Sequence, residues 1–149
     1  MAIREIVTMK DEALLRRISR EVTVFDAKLK LLIDDMWDTL YKAQGYGLAA
    51  PQIGIIRRIA VIDYEGRKLV LINPKILKAE GTTTDYEGCL SVRAKNLLVD
   101  RHKRITVLNH RLDGSAYKFE ASNFFARVIQ HEMDHFEGVL YIDKGYEEE

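Results

Sequence analysis

The run Gln130-His131-Glu132-Met133-Asp134-His135 constrains this chain more than any other segment. It lies among Phe124, Phe125, Val128, Ile129, Met133 and Phe136, whose spacing predicts a largely buried helix. Ser122 or Asn123 is a good cap for its start, and Gly138 stops it after about Glu137. Residues four apart on a helix stand one turn apart on the same face, so His131 and His135 can share one metal ion. Glu132 follows the first histidine and can reach a water on that ion. This H-E-x-x-H spacing has the mechanics of metal-assisted hydrolysis. Buried imidazoles and carboxyls need partners, and a metal satisfies both histidines.

A hydrolytic metal site needs a third protein ligand and one open position. Only 14 residues follow His135. A histidine six residues beyond it would suit, but that position is Tyr141. Glu137 is too close along the helix, and the other downstream acids lie near an unanchored end. The third ligand must come from upstream, so the chain must fold back to deliver it. His102 and His110 are flanked by charged residues beside an alternating strand and read as surface histidines. Cys89 sits in Tyr86-Glu87-Gly88-Cys89-Leu90-Ser91, where Gly88 allows close backbone approach. It is the chain's single cysteine, so no internal disulfide claims it. A metal favours its thiolate form. The set read from the residues is Cys89, His131 and His135, with water in the fourth position.

The rest of the chain supplies the scaffold. Asp11 is a plausible cap for a short helix to about Ser19. Asp26 precedes Leu29, Leu32, Ile33, Met36, Trp37 and Leu40, one apolar stripe of a second helix, which Gly45 suits as the left-handed end. Strands are expected at 57–63 and 68–73 around the turn Tyr64-Glu65-Gly66-Arg67. Others fall at 75–79, 97–100, 103–109 and 116–121, with Asp113-Gly114 turning between the last two, and a final short strand at 139–142. Helices bracketing antiparallel hairpins describe an α+β fold. The length of 149 residues fits a single domain over 1–149, with the acidic tail 144–149 solvated and mobile. Lys plus Arg and Asp plus Glu each total 23, so no basic excess points to nucleic acid or a membrane surface. The longest uncharged run, 43–56, contains three Gly and one Pro, which suits no membrane helix. With no signal-peptide pattern, a cytoplasmic location is the expectation.

Three blocks together resemble the peptide deformylase family. They are Gly45-Tyr46-Gly47-Leu48-Ala49-Ala50-Pro51-Gln52-Ile53-Gly54, Glu87-Gly88-Cys89-Leu90-Ser91 and Gln130-His131-Glu132-Met133-Asp134-His135, in the family's order and spacing. The resemblance runs from about residue 3 to 143. It implies an α+β fold with antiparallel sheets around the central H-E-x-x-H helix. It implies hydrolytic removal of the formyl group from the N-formylmethionine of nascent polypeptides. It also implies one divalent metal, Fe(II) in the cell, with Zn(II), Ni(II) or Co(II) as substitutes. The metal lowers the pKa of its water and supplies a hydroxide, and Glu132 moves the proton to the leaving amine. By resemblance, the Gln52 amide and the Leu90 backbone N–H receive the developing oxyanion, and Gly47 contacts substrate. Gly45, Gly47 and Gly88 let an extended peptide lie close to the backbone. Phe124 and Val128 fit the apolar wall of a methionine pocket, with Tyr46 at its rim. Glu87 and Arg101 form an ion pair that orients the cysteine loop, and Asp134 is a further candidate beside the ligands.

The family commonly has a Pro-Gly pair after the cysteine block, where this chain has Arg93-Ala94-Lys95. A Gly common before the third helix is Asn123, which tolerates left-handed backbone. The basic C-terminal helix by which some members dock on the ribosome is not expected, and three terminal glutamates would repel rRNA. Two other readings remain at this point. One is a related metal-dependent amidase for other formylated or short-acyl amines. The other is a metal-binding remnant without catalysis, against which Glu132 and Gln52 argue, since neither is needed merely to hold metal.

Overall fold

In the computed structural model, which describes residues 2–148, the first regular structure is a 3-10 turn, Met9–Asp11, running into one helical turn, α1 (Glu12–Leu15). The helix expected to continue to Ser19 stops earlier. Thr8, not Asp11, supplies the side-chain cap. The Ser19 N–H is instead used across the molecule, donating to the Phe136 carbonyl at 2.7 Å. The second helix, α2 (Ala27–Ala43), starts where the sequence places it, with the Asp26 carboxylate accepting from the Leu29 N–H at 3.1 Å. It buries Leu29, Ile33, Met36 and Leu40, while Trp37 packs half-buried beside them. The left-handed residue at its end is Gln44, at φ 59°, rather than Gly45. Gly45 has a different reason to be glycine: a Cβ there would meet the Leu90 side chain at 3.0 Å.

Three antiparallel sheets follow. The first has the order β1 (Gly47–Ala49), β2 (Ile59–Tyr64), β3 (Arg67–Ile72). Its β2–β3 turn uses Glu65 and Gly66, both at positive φ (50° and 81°), the conformation whose twist matches flanking strands. β4 (Lys75–Glu80), β7 (Arg104–His110) and β8 (Ala116–Ser122) form the second, in the order β4-β7-β8. The third is the hairpin of β5 (Thr83–Cys89) and β6 (Val92–Arg101), closed by Leu90-Ser91 with Cys89 paired to Val92. Sequence reading missed β1, which is only three residues, and β5, whose side chains are mostly exposed and carry no apolar alternation.

The third long helix, α3 (Asn123–Phe136), opens with Asn123 at φ 58°, as the Asn substitution allows. It lies between the first two sheets. Ala126, Ile129 and Phe136 pack with Ala60, Ile62 and Leu71 on one side and Ile105 and Val107 on the other. Strand β2 explains how one sheet serves two helices. Its alternation sends Ile59 and Val61 to α2 and Ala60 and Ile62 to α3, so all four are buried. This is the α+β arrangement, with antiparallel sheets around the His-Glu-x-x-His helix.

After α3 the expected strand at 139–142 is instead one helical turn, α4 (Tyr141–Lys144). Asp143 closes it by accepting from the Leu140 N–H at 2.8 Å, a cap that local apolar pattern does not reveal. Residues 146–148 of the acidic segment are exposed, and Tyr146 exchanges both backbone hydrogen bonds with Leu98 at 2.9 Å. Among the described residues no helix is long and apolar enough to cross a membrane.

Gly138 ends α3 at φ 70°, and a Cβ there would fall 2.2 Å from the Arg16 carbonyl oxygen. Gly138→Ala is expected to lower the unfolding free energy by about 2 kcal/mol or more, read from urea melts. An unchanged midpoint would contradict this packing.

Candidate metal centre

His131 and His135 project from one face of α3, and the β5–β6 hairpin carries Cys89 onto the same point. The three ligand atoms all lie within 4.8 Å of one another, and Cys89 Sγ is 3.5 Å from His135 Nε2. Sulfur and nitrogen donors bonded to one tetrahedral ion at about 2.3 and 2.0 Å stand roughly 3.5 Å apart, so this spacing fits a single cation. The donor set of one thiol and two imidazoles suits Fe(II) or Zn(II) alike. His135 is 1% exposed, and no protein group partners its Nδ1. His102 and His110 stand elsewhere. His102 is exposed, and His110 Nδ1 is 2.8 Å from the Ile72 carbonyl.

A buried carboxylate organises these ligands. Glu87 Oε1 is 2.8 Å from His131 Nδ1, which fixes the ring and leaves Nε2 free for a cation. The same carboxylate accepts from Arg101 Nε at 2.9 Å, from the Arg101 terminal nitrogen at 2.8 Å and from Arg127 at 2.7 Å. Arg101 also donates to Asp134 at 2.5 Å, and Lys144 pairs with Asp134 at 3.0 Å. The expected Glu87–Arg101 pair is therefore not a surface pair but part of a buried network that includes Asp134. Burial alone would raise the Glu87 carboxyl, yet hydrogen bonds from Arg101 and His131 hold it well below the usual carboxylate range. Burial opposes charge on His131, but Cys89 and Glu87 beside the ring raise it to about 10. A cation that binds Nε2 must displace that proton. Burial and the nearby His131 charge push His135 down.

Sequence reasoning missed the weight of Arg127. It donates to Glu87, to the Val99 carbonyl at 2.7 Å and to the Thr83 carbonyl at 2.9 Å. The available signal was a lone cation, four residues before His131, within the apolar stretch Phe124–Ile129.

Glu132 is 4% exposed, and its Oε1 has no protein partner. Burial pushes its carboxyl up to about 7. Gly47 makes room for it: a Cβ at 47 would lie 2.6 Å from Glu132 Oε2. Gln52 occupies a 3-10 turn, Ala50–Ile53, that begins with Pro51 in its first turn. Its Oε1 accepts from the Ala49 N–H at 2.9 Å, and its Nε2 donates to Ser91 Oγ at 3.2 Å and lies 3.6 Å from Cys89 Sγ. The amide is thus held with its N–H side toward the ligands.

These groups border an open cavity of about 480 Å³. Gly45, Tyr46, Gly47, Gln52, Gly88, Cys89, Leu90, Phe124, Val128, His131 and Glu132 all line it, and His135 stands behind. Tyr46 packs edge-on to Tyr64 and Phe124, with ring centres 5.3 and 5.7 Å away. Tyr86 and Asn96 line it too, although the sequence reading gave neither a role. Arg93, Ala94 and Lys95 are exposed and outside this lining.

Comparison with known proteins agrees with this geometry. A peptide deformylase 1 of Clostridium acetobutylicum is 48% identical over 151 residues, covering 100% of this chain and 99% of that protein. The crystal structure of the peptide deformylase from Thermotoga maritima superposes with a TM-score of 0.94 at 39% identity, covering 98% of this chain and 99% of that one. A Met-Ala-Ser-bound crystal structure of a class I type b peptide deformylase from Acinetobacter baumannii has a TM-score of 0.91 at 28% identity, over 96% of this chain and 98% of that one. The family model described as polypeptide deformylase matches residues 3–149, and with that match the chain belongs to the polypeptide deformylase family.

Proposed function

We propose that this protein removes the formyl group from N-formylmethionine at the start of nascent polypeptides, with Glu132 as proton carrier and Gln52 and Leu90 as oxyanion donors. The observation that carries the reading is the convergence of one thiol, two imidazoles and an unpartnered buried carboxyl at the end of a peptide-sized cavity. A bound divalent ion supplies Lewis acidity and lowers the pKa of its water toward neutrality.

The chain's own residues do the rest. Glu132 takes a proton from the attacking water, whose oxygen bonds to the formyl carbon. As the carbonyl oxygen gains charge, the second Gln52 Nε2 hydrogen and the Leu90 N–H donate to it. Glu132 then returns the proton to the departing nitrogen as the C–N bond breaks, giving formate and a free amine. The apolar side chains of Phe124 and Val128 receive the methionine, and Tyr46 closes the rim. Backbone around Gly45, Gly47 and Gly88 receives the peptide as an added strand, which reads main chain and tolerates varied side chains. The Met-Ala-Ser bound by the Acinetobacter baumannii relative is the kind of product this reaction leaves. Fe(II) is the metal proposed in the cell, and the cytoplasm the location of this substrate. No nucleic-acid, membrane or ribosome contact through residues 144–149 is part of the reading. Arg93-Ala94-Lys95, where the chain departs from the family's Pro-Gly pair, lies outside the cavity lining and supplies no reason to prefer an amidase of other acyl amines.

Glu132→Ala is expected to keep its metal and lose about 10²–10⁴-fold in kcat on formyl-Met-Ala-Ser. Full activity in that variant, or equal turnover of acetyl-Met-Ala-Ser by the unaltered protein, would sink the reading. Arg101→Ala strips a buried carboxylate of a partner. It is expected to cost about 3–5 kcal/mol of stability and to weaken metal affinity roughly 10–100-fold. Isothermal titration of the metal-free variant checks this, and unaltered affinity would remove Arg101 from any role in orienting the ligands.

A further inference from the structure

Tyr86 is 46% exposed, yet it lines the cavity that holds Glu132 and His131, and no step of the hydrolysis uses it. Its place follows from the strand. In β5 alternate residues share a face, so Tyr86 stands on the face opposite Glu87. Glu87 turns inward to Arg101, Arg127 and His131, and Tyr86 therefore turns outward. β5 pairs with β6 on one edge, and among the described residues its other edge carries no strand.

An extended peptide added along that free edge obeys the same alternation. Its methionine points inward, to the side of Phe124 and Val128. The next side chain must then point outward, where Tyr86 stands. We propose that Tyr86 is a specificity-determining residue that contacts the side chain immediately after the methionine, and that Glu148 is the positioning residue that holds it there. This inference rests on the deformylase reading.

The brace is built into the sheet register. Tyr86 pairs with Leu98, and Leu98 pairs on its other side with Tyr146. Tyr146 and Glu148, two residues apart, share one face, so the Glu148 carboxylate can cross over β6. It accepts from the Tyr86 hydroxyl at 2.5 Å. The strap is fastened twice more. The Tyr146 hydroxyl donates to Asp100 at 2.8 Å, and Glu147 pairs with Lys95. A fixed aromatic ring offers a large or aromatic side chain a surface that glycine cannot use.

The test compares kcat/KM on formyl-Met-Phe-amide and formyl-Met-Gly-amide with the metal-loaded full chain. The expected ratio is roughly three- to tenfold in favour of Phe. It falls close to one in Tyr86→Ala, and partway in both Tyr86→Phe and Glu148→Ala. Combining the last two substitutions does no more than either alone, because each removes the same hydrogen bond. Should Tyr86→Ala fail to fold, Glu148→Ala at an exposed site still reads the ratio. A ratio unchanged by all these variants overturns the inference, as does a fall in both substrates alike. Failure of the deformylase reading looks different: the unaltered protein would hydrolyse neither amide.

Discussion

One almost fully buried carboxylate ties this structure together. Glu87 is 7% exposed and is shared between two guanidinium groups and an imidazole. Removing charges from water costs several kcal/mol each, and only close pairing offsets that. The pairing therefore dictates what must be near what. Arg101 comes from β6, Arg127 and His131 from α3, and Glu87 from β5, two residues before Cys89. Satisfying one buried charge docks the hairpin on the helix, and docking the hairpin sets the sulfur beside the two rings.

The apolar core prepares the other half of the site. Strand β2 is buried on both faces, so α2 and α3 sit on opposite sides of one small sheet. Strand β1 runs along its edge, pairing Gly47 with Ile62, and this brings Gly47 against Glu132. The missing side chain at 47 is a requirement of packing as much as of substrate approach. Glu132 is thus held against backbone and 4% exposed, and burial raises its carboxyl to a value suited to carrying a proton near neutrality.

Legibility in the sequence tracked the range of the physics involved. The metal ligands were readable because a helical period fixes His131 against His135, and because the chain's single cysteine, Cys89, follows a glycine that allows close approach. The cap at Asp26, the turn at Glu65-Gly66 and the stop at Gly138 were readable because each depends on neighbouring residues alone. Strand β5 was not, because it is held by pairing with β6 and by a buried glutamate rather than by an apolar face. The turn at Tyr141–Lys144 was hidden for a similar reason, since Asp143 caps a segment whose apolar residues also suit a strand. Gln44 took the left-handed position expected of Gly45, and the missing side chain at 45 serves a distant neighbour instead, Leu90, 45 residues downstream. The part played by Arg127 was not legible, because its three partners come from β5 and β6.

The central claim is that Cys89, His131 and His135 bind one divalent ion together. Loading the metal-free protein with Co(II) and recording its absorption spectrum tests it most directly. The account predicts one cobalt per chain with a near-ultraviolet sulfur-to-cobalt charge-transfer band, and loss of that band in Cys89→Ser. One cobalt bound with no such band, or with a band that survives the loss of Cys89, would contradict it.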